Sequence, residues 1–302
     1  MDIEKLYPET KDYIWGGNKL REYGKTSDKD RIAESWELSF HPDGPSRLAD
    51  GRLLKDVATK RDWGENAARF PFFPILIKFI DAKDNLSVQV HPSDEYALAN
   101  EGQFGKTEMW YIAEAEEGAG IYLGFGKDVT AEEFGKAIED GTVLDLLNFF
   151  KVKKGEHYFI ESGTVHAIGK GCVIAEIQQN SNLTYRVYDY GRKDKNGKGR
   201  ELHVDKAKKV ANLSKFVYDP LNADYNGGKL IGECKYFKVA KYVVVGEKKL
   251  TADEKSFKAV TVLSGSGSVG GRPAKKGDTF FVPAAYGAFA VDGSMEILVS
   301  EV

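Results

Sequence analysis

The sequence is short of cysteine and of long apolar runs, and each shortage excludes a class of protein. Its 302 residues include only two cysteines, Cys172 and Cys234, which lie far apart and form no CxxC motif. Neither a disulfide framework nor a thiolate metal site is therefore indicated. The most apolar stretch, residues 70–80, contains two prolines and Lys78. It is too short for a membrane-spanning helix, which needs about 20 apolar residues.

An excess of one charge is also lacking. The 43 basic and 46 acidic residues give a net charge of -3. This balance argues against binding to nucleic acid or to an acidic membrane surface, although a few local cations can still hold a phosphorylated substrate. The first residues, MDIEK, lack the basic segment and apolar stretch of a signal peptide. We therefore expect a soluble, cytoplasmic protein with no nucleic-acid or membrane partner.

Short apolar segments between turn-forming residues are, by contrast, abundant, and the sequence has 32 glycines. The clearest segments, bounded by Gly, Pro, Asp or Asn, are Pro74–Ile80, Leu86–Val90, Met109–Ala113, His157–Ile160 and Cys172–Gln178. This pattern is typical of many short strands packed as a sandwich or barrel. The predicted fold class is therefore dominated by β-structure, with only a few short helices.

Three helices are predicted. A Thr-x-x-Glu capping pattern indicates a helix over Ala131–Glu139. Thr142 is expected to cap a second helix over Val143–Phe150, because leucine and phenylalanine recur there on one face. A third helix is expected over Asp205–Ala211. The polar stretch that follows, to about Gly228, is the best candidate for a linker.

One segment of the sequence recurs. Lys153–Ile160 (KKGEHYFI) resembles Lys275–Val282 (KKGDTFFV) at an offset of 122 residues. Another apolar strand precedes each copy, Met109–Ala113 in the first and Ala259–Leu263 in the second, and only the first copy carries the helical insertion at about 128–150. Two similar β-units indicate a duplicated fold. The alternative is that both copies merely share a strand-turn-strand pattern.

The two copies differ in their polar residues. His166 falls opposite Ala288, and Glu108 falls opposite Lys258 in the preceding strands. We therefore expect one working unit and one structural unit that binds no catalytic metal.

Polar side chains alternate with apolar ones along the segment LSVQVHP. Residues two apart on a strand share a face, so Ser87, Gln89 and His91 project together. Glu108 begins the next predicted strand, and His166 lies in a Gly-Thr-Val-His turn. A lone histidine is more often structural, but a barrel can bring such inward side chains together. Two imidazoles, a carboxylate and an amide oxygen suit one Zn²⁺ per chain, with a coordination position open for water or substrate.

Taken together, these motifs resemble the short bacterial form of the class I mannose-6-phosphate isomerase family, over essentially the whole chain. The segments that carry the resemblance are Tyr13–Gly17, Ala33–Glu37, Pro74–Lys78, Gln89–Pro92, Lys106–Trp110, Gly163–Ala167, Glu176, Arg186 and Arg192. The resemblance implies two cupin jelly rolls, a catalytic domain over residues 1–218 and a metal-free domain over 219–302.

The resemblance also implies a reaction, the interconversion of mannose 6-phosphate and fructose 6-phosphate. The zinc ligands that it implies are Gln89, His91, Glu108 and His166. It places substrate-contacting lysines at Lys78 and Lys106 and an active-site arginine at Arg186. Longer members of the family often have histidine where this chain has Gly105, and some have aspartate where it has Asn182. The acid or base that opens the sugar ring therefore stays undetermined.

An aldose–ketose isomerase moves a proton between C1 and C2 through an enediolate. Arg186 is the expected stabiliser of the developing charge. Glu176, within the apolar strand VIAEI, is the expected general base, since burial would raise its pKa into a useful range. Alternatively, Glu176 faces solvent or pairs structurally with an arginine, and Lys106 is the rival base. The candidates for contact with the phosphate are Ser87, Lys78, Lys106 and Arg192.

Two other functions are compatible with the metal ligands. A metal-dependent cupin oxygenase could use the same side chains around iron, but it needs open positions for O₂ and substrate and has less need of lysines and arginines. A non-catalytic sugar-binding cupin would not need both Glu176 and Arg186 beside a full ligand set. The alternative role for Arg192 is to begin a solvated loop that runs to Arg200.

Overall fold

A computed structural model describes residues 1–193 and 197–302, and most of its regular structure is β-strand. In chain order the strands of the described residues are β1 (Glu4–Lys5), β2 (Glu9–Lys11), β3 (Glu34–Leu38), β4 (Ile75–Ala82), β5 (Val88–Val90), β6 (Glu108–Ala115), β7 (Gly120–Phe125), β8 (Leu147–Lys151), β9 (His157–Ile160), β10 (His166–Ile168), β11 (Cys172–Gln179), β12 (Tyr185–Tyr188), β13 (Ala223–Tyr225), β14 (Gly228–Glu233), β15 (Lys238–Ala252), β16 (Lys258–Val269), β17 (Arg272–Lys275), β18 (Thr279–Val282) and β19 (Gly287–Glu301).

Helices are short and less frequent. Over the same residues they are α1 (Leu54–Val57), α2 (Lys60–Trp63), α3 (Glu65–Ala68), α4 (Asp94–Asn100), α5 (Ala131–Glu139) and α6 (Val204–Val210), with 3₁₀ helices at Lys19–Tyr23 and Val143–Leu146. None of the helices in the described part of the chain is long and apolar enough to cross a membrane. The predicted β-dominated fold class is confirmed, and each of the five apolar segments named above contains a strand.

The insertion between β7 and β9 was predicted correctly in its first half only. Helix α5 spans Ala131–Glu139 as predicted, and Thr130 Oγ1 accepts a hydrogen bond from Glu133 N at 3.1 Å. The predicted helix over Val143–Phe150 is wrong, because residues from Leu147 onward form strand β8.

The reason for that error lies in the partner strand. Phe150 pairs with Ile121 of β7, so the backbone groups of this segment bond to a neighbouring strand instead of to each other. Thr142 makes no capping hydrogen bond with its side chain, and the turn that it precedes closes as a 3₁₀ helix after four residues. Tertiary pairing therefore overrides the helical spacing of the leucines.

The chain forms two compact units. The first contains Met1–Asp81, Ala175–Asn180 and Pro220–Val302, and the second contains Ala82–Ile174 and Ser181–Asp219. The predicted domain division into residues 1–218 and 219–302 stays a prediction, although the last segment of the first unit begins close to that boundary.

The first unit is built around one eight-stranded sheet in the order β1-β18-β16-β19-β15-β14-β13, with β17 paired to β16. Strands β15 and β19 pair over their whole length, from Lys238↔Glu301 to Ala252↔Gly287. Apolar side chains of this sheet form a buried core, in which Phe280 has no exposed surface. Strands β2, β3 and β4 form a separate antiparallel set in the same unit.

The second unit contains a five-stranded sheet in the order β12-β5-β10-β7-β8 and the antiparallel pair β6–β9. Val88 and Val90 of β5 are fully buried in an apolar cluster that includes Phe134 of α5. Because side chains alternate along a strand, Gln89 between them points to the opposite face. One face of β5 therefore holds the core, and the other is available for polar side chains.

The repeated segments make the same hydrogen bonds. In the first copy Gly155 N donates to Ile112 O at 2.9 Å, and in the second Gly277 N donates to Val262 O at 2.8 Å. Both glycines have positive φ, 94° and 89°, which the tight turn requires. The matching turns support the predicted duplication.

Candidate metal centre and its surroundings

Two histidines and a glutamate meet in the second unit. His91, Glu108 and His166 are almost fully buried, and one ligand atom from each lies within 4.8 Å of the others. His91 Nε2 is 3.3 Å from Glu108 Oε1, and His166 Nε2 is 3.7 Å from Glu108 Oε2. A buried group of this composition can bind a metal ion.

Gln89 lies beside this group because of the strand register. Gln89 on β5 pairs directly with His166 on β10, and residues directly opposite in antiparallel strands share a face. Gln89 Nε2 is 3.4 Å from His166 Nε2. The nitrogen and oxygen of an amide are interchangeable by a half-turn of its terminal group, so Gln89 can present its oxygen to the same point.

Backbone carbonyls hold both imidazole rings. His91 Nδ1 lies 2.7 Å from Leu183 O, and His166 Nδ1 lies 2.9 Å from Thr164 O. A carbonyl oxygen can only accept, so each Nδ1 must carry the hydrogen and donate it. In a neutral ring this leaves Nε2 as the lone-pair nitrogen, and both Nε2 atoms face Glu108. This arrangement is the one that metal-binding histidines adopt.

The expected charge states suit a metal site. Burial lowers the pKa of His91 to about 3, and burial also lowers the pKa of His166. Burial alone would raise the pKa of Glu108, but the charge of Lys106 and the interactions of Glu108 with the neighbouring histidines bring it well below its ordinary value. At neutral pH the group therefore has two neutral imidazoles and one carboxylate, the forms that bind metals.

One oxygen of Glu108 tests whether these residues fit a metal. Within residues 1–193 and 197–302, the buried Glu108 Oε2 has no hydrogen-bond partner. Leaving a buried carboxylate oxygen without a partner is costly. A cation between this oxygen and the two Nε2 atoms would remove that cost, so the residues present fit a metal ion.

Lys106 lies against the same group. Its ammonium contacts Glu108 Oε1 and lies 3.3 Å from His91 Nε2, and the residue is 4 % exposed. The preceding Gly105 is closely packed, since a Cβ there would lie 2.5 Å from the backbone oxygen of Pro92. A larger side chain at this position would therefore require a different backbone path.

Arg186 extends the row of side chains that contains Gln89 and His166. It pairs with Gln89 across β12 and β5, and its Nε donates to Ser87 Oγ at 3.2 Å. Its Nη1 donates to Glu201 O at 3.0 Å, and burial lowers the pKa of Arg186. The structure thus brings Ser87 and Arg186 beside Gln89, as the alternation along β5 and β12 indicated.

Arg192 belongs to a separate cluster with Asp189 and Arg200. Asp189, which is 6 % exposed, accepts from Arg192 Nε at 3.0 Å and from Arg200 Nε at 2.7 Å. Arg192 Nη1 also donates to Asn85 O at 2.6 Å. Residues 194–196, within the polar run after Arg192, lie outside the described residues. Sequence reasoning missed Asp189 and Arg200, and the only available signal was one acid followed by two arginines.

Lys78 and Glu176, both predicted site residues, belong to the first unit. Lys78 Nζ lies 3.7 Å from Glu176 Oε1, 3.5 Å from Glu34 Oε2 and 4.9 Å from the centre of the Trp36 ring. Glu176 is only 3 % exposed, so the alternative in which it faces solvent is wrong. Its neighbouring cation is a lysine, and Glu34 is a carboxylate that the sequence did not single out.

Comparison with known proteins shows what the chain is similar to. A model of the phosphomannose isomerase type I catalytic domain matches residues 3–119, and a model of the mannose-6-phosphate isomerase cupin domain matches residues 228–302. Most of the eight-stranded sheet lies within residues 228–302, whereas Gln89, His91 and Glu108 lie within residues 3–119.

Relatives match along the whole chain. The mannose-6-phosphate isomerase ManA of Bacillus subtilis is 39 % identical over 317 residues, which cover 99 % of each chain. The mannose-6-phosphate isomerase of Streptococcus mutans is 38 % identical and covers 95 % of this chain and 94 % of its own. The crystal structure of a mannose 6-phosphate isomerase from Bacillus subtilis superimposes with a TM-score of 0.91 at 36 % identity, covering 100 % of both chains.

Proposed function

The chain belongs to the type I phosphomannose isomerase family, and on that premise we propose that it interconverts mannose 6-phosphate and fructose 6-phosphate with one bound zinc ion. The observation that carries the proposal is the arrangement around Glu108. Its buried oxygen without a hydrogen-bond partner in the described chain faces two imidazoles whose Nδ1 atoms are already engaged. Hydrogen bonding alone does not explain that arrangement, and a metal does.

The proposed ligands of the zinc ion are Gln89, His91, Glu108 and His166. Nitrogen and oxygen donors of this kind suit zinc and leave a position open for substrate. When bound, the ion supplies Lewis-acid polarisation of the sugar's oxygen atoms. The burial of His91, Glu108 and His166 keeps water away and strengthens every charge interaction in the site.

Arg186 is proposed to stabilise the enediolate. Its guanidinium is fixed by Ser87 Oγ and by the carbonyl of Glu201, so its position does not depend on the substrate. A fixed cation next to a developing negative charge lowers the barrier more than it strengthens substrate binding. The pairing of Arg186 with Gln89 places that cation beside a proposed metal ligand.

Glu176 is proposed as the general base, with Lys106 as its rival. A base must be close to the carbon-bound proton and must carry the correct charge when it acts. Glu176 is buried and lies near Lys78, a cation that favours its carboxylate form. Lys106 is instead in contact with Glu108, and we propose that it mainly contacts the substrate.

The phosphate is proposed to contact Lys78, Ser87 and Arg192. Support for Ser87 comes from its hydrogen bond with Arg186, and support for Arg192 comes from the positive cluster that it forms with Arg200 around one aspartate. Cationic and hydroxyl donors are the groups that bind phosphate strongly.

A single assay distinguishes the isomerase from its two alternatives. Purified protein is mixed with fructose 6-phosphate in air, with and without a chelator, and both mannose 6-phosphate and oxygen are measured. The isomerase produces mannose 6-phosphate, consumes no oxygen and stops when the metal is removed. Oxygen consumption would indicate the oxygenase, and sugar binding without turnover would indicate a binding protein.

A further inference from the structure

The metal-binding strands have counterparts among the C-terminal strands. Strands β6 and β9 pair with Glu108 opposite Ile160, and β16 and β18 pair with Lys258 opposite Val282. Ile160 and Val282 are the last residues of the repeated segment. Lys258 therefore holds the position of Glu108, as the sequence repeat predicted.

Gln89 and His166 can be matched through a second pair of strands in each copy. Gln89 on β5 pairs with His166 on β10, and Thr251 on β15 pairs with Ala288 on β19. Ala288 lies at the repeat offset from His166. Thr251 is therefore the counterpart of Gln89.

A backbone hydrogen bond extends the match to His91. Gly163 N donates to His91 O at 2.8 Å, and Ala285 N donates to Asp253 O at 2.7 Å. Gly163 and Ala285 both have positive φ, 91° and 59°. Asp253 is therefore the counterpart of His91. The counterparts of the four proposed ligands include no imidazole, and a lysine replaces the glutamate.

A cavity nevertheless lies beside Lys258. Its volume is ≈ 340 Å³, and its lining includes Thr251 and Lys258, two of the four counterparts. Tyr225, Tyr242 and Glu301 also line it. A volume of this size is at the lower end of the range of small-molecule sites, which runs from about 300 to 1,000 Å³.

The charges inside the cavity compensate each other. Lys258 contacts Glu301, and their side chains are only 13 % and 15 % exposed. Tyr225 donates its hydroxyl to the other carboxylate oxygen of Glu301 at 2.9 Å. A bound ligand therefore needs no charge of its own to balance this ion pair. The lysine and carboxylate together still provide both donors and acceptors to a partner that can use both.

We propose that this cavity, the Lys258 cavity, binds an uncharged polyhydroxy compound of monosaccharide size without a metal. Neighbouring hydroxyl groups donate and accept at once, which matches an ion pair flanked by the hydroxyl of Tyr225. The ring of Tyr242 and the side chains of Leu250 and Val299 supply an apolar wall for the C–H face of such a ligand.

Binding to the Lys258 cavity is measured on the full chain carrying His166→Ala, so that the proposed metal site does not contribute. The probes are mannose, fructose and mannitol, titrated by calorimetry and by ligand-observed NMR. We expect one saturable site for at least one of the three. Lys258→Met should weaken binding about 10- to 100-fold, the effect of losing a hydrogen bond to a charged group.

A second variant avoids disturbing the ion pair. Leu250 lines the cavity from the same face of β15 as Tyr242, and Leu250→Trp should fill the cavity and abolish binding. Val245→Trp is the matched control, because Val245 lies on the same strand with 83 % exposure and does not line the cavity. This control should bind as the parent does.

Three results would overturn the proposal. These are no saturable binding of any probe, unchanged binding in both Lys258→Met and Leu250→Trp, or tighter binding of inorganic phosphate than of the sugars. The wild-type isomerase assay is independent of these titrations, so failure of the proposed function would be recognised separately.

Discussion

At the scale of single residues, two carbonyl oxygens fix the orientation of the histidines in the proposed metal centre. Leu183 O and Thr164 O accept from the Nδ1 atoms of His91 and His166, which fixes ring orientation and tautomer in the protein itself. Preorganised ligands lose little freedom when an ion arrives. The sequence indicated the four proposed ligands, but nothing in it identified the carbonyls that orient the two histidines.

The first prediction concerns His166. His166→Ala removes one of the two Nε2 donors that face Glu108, so we expect loss of bound zinc together with loss of isomerase activity. Metal content by mass spectrometry and turnover of fructose 6-phosphate check this. His157→Ala, which lies outside the ligand set, should keep both. A His166→Ala protein with normal zinc and normal rate would disprove the ligand assignment.

The second prediction concerns Arg186. If its guanidinium stabilises the enediolate, Arg186→Ala should lower kcat about 10²- to 10³-fold, by analogy with the loss of one oxyanion-hole donor. Arg186→Lys should recover only part of the rate, because an ammonium cannot reproduce the planar contact. Zinc content should stay normal in both variants.

The competing role for Arg186 gives a different kinetic pattern. A residue that only binds phosphate contributes equally to ground state and transition state. In that case Arg186→Ala would raise KM for fructose 6-phosphate and leave kcat nearly unchanged, and the proposed role would be withdrawn.

The third prediction separates the two candidate bases. Glu176→Gln should lower kcat about 10²- to 10⁴-fold and stop exchange of the substrate's C2 hydrogen with deuterated solvent, while zinc stays bound. Lys106→Met is the comparison, since Lys106 is the rival. Retained exchange in Glu176→Gln together with its loss in Lys106→Met would reverse the assignment.

At the scale of secondary-structure elements, strand β5 organises the site because its two faces have different tasks. Val88 and Val90 anchor one face in the apolar core, and Gln89 on the other pairs with residues on both neighbouring strands, Arg186 and His166. A shift of one residue in register would exchange the faces and bury Gln89. The core therefore fixes the position of Gln89 and of the row that it forms with Arg186 and His166.

The fourth prediction concerns the loop that leads into β6. A Cβ at Gly105 would lie 2.5 Å from the backbone oxygen of Pro92, so Gly105→Ala should displace the loop that carries Lys106 and leads into β6 at Glu108. We expect a loss of about 1–3 kcal/mol in unfolding free energy, measured by urea denaturation of metal-free protein.

The control for this prediction is Gly126→Ala. A Cβ at Gly126 would lie no closer than 3.4 Å to its nearest neighbour, Asn148 Oδ1, which is ordinary contact. Its unfolding free energy should stay within about 0.5 kcal/mol of the wild type. Equal effects of the two substitutions would show that the close packing at Gly105 has no special importance.

Elements were predictable where local signals and tertiary structure agree. The Thr-x-x-Glu capping pattern gave α5, and alternation gave β5 with its polar face. The segment Val143–Phe150 failed because its backbone pairs with β7, a partner that helical spacing cannot indicate. The short helices α1 to α3, each of four residues, carry too few residues for any periodic signal.

At the scale of the whole molecule, the duplication explains why one chain has one proposed metal centre. Matching backbone pairings place Lys258 where Glu108 stands and Ala288 where His166 stands. The sequence repeat indicated these correspondences in advance. It could not indicate that a cavity remains around Lys258, because the opposite wall comes from Tyr225 on a strand outside the repeat.

The zinc titration of metal-free enzyme tests the central claim most directly. Protein stripped by a chelator receives known amounts of Zn²⁺, and conversion of mannose 6-phosphate to fructose 6-phosphate is measured at each addition. Activity should start near zero, rise in proportion to added zinc and stop rising at one ion per chain, because only His91, Glu108 and His166, with Gln89, form such a centre among the described residues. Full activity without metal, or a rise that continues to two ions per chain, would contradict it.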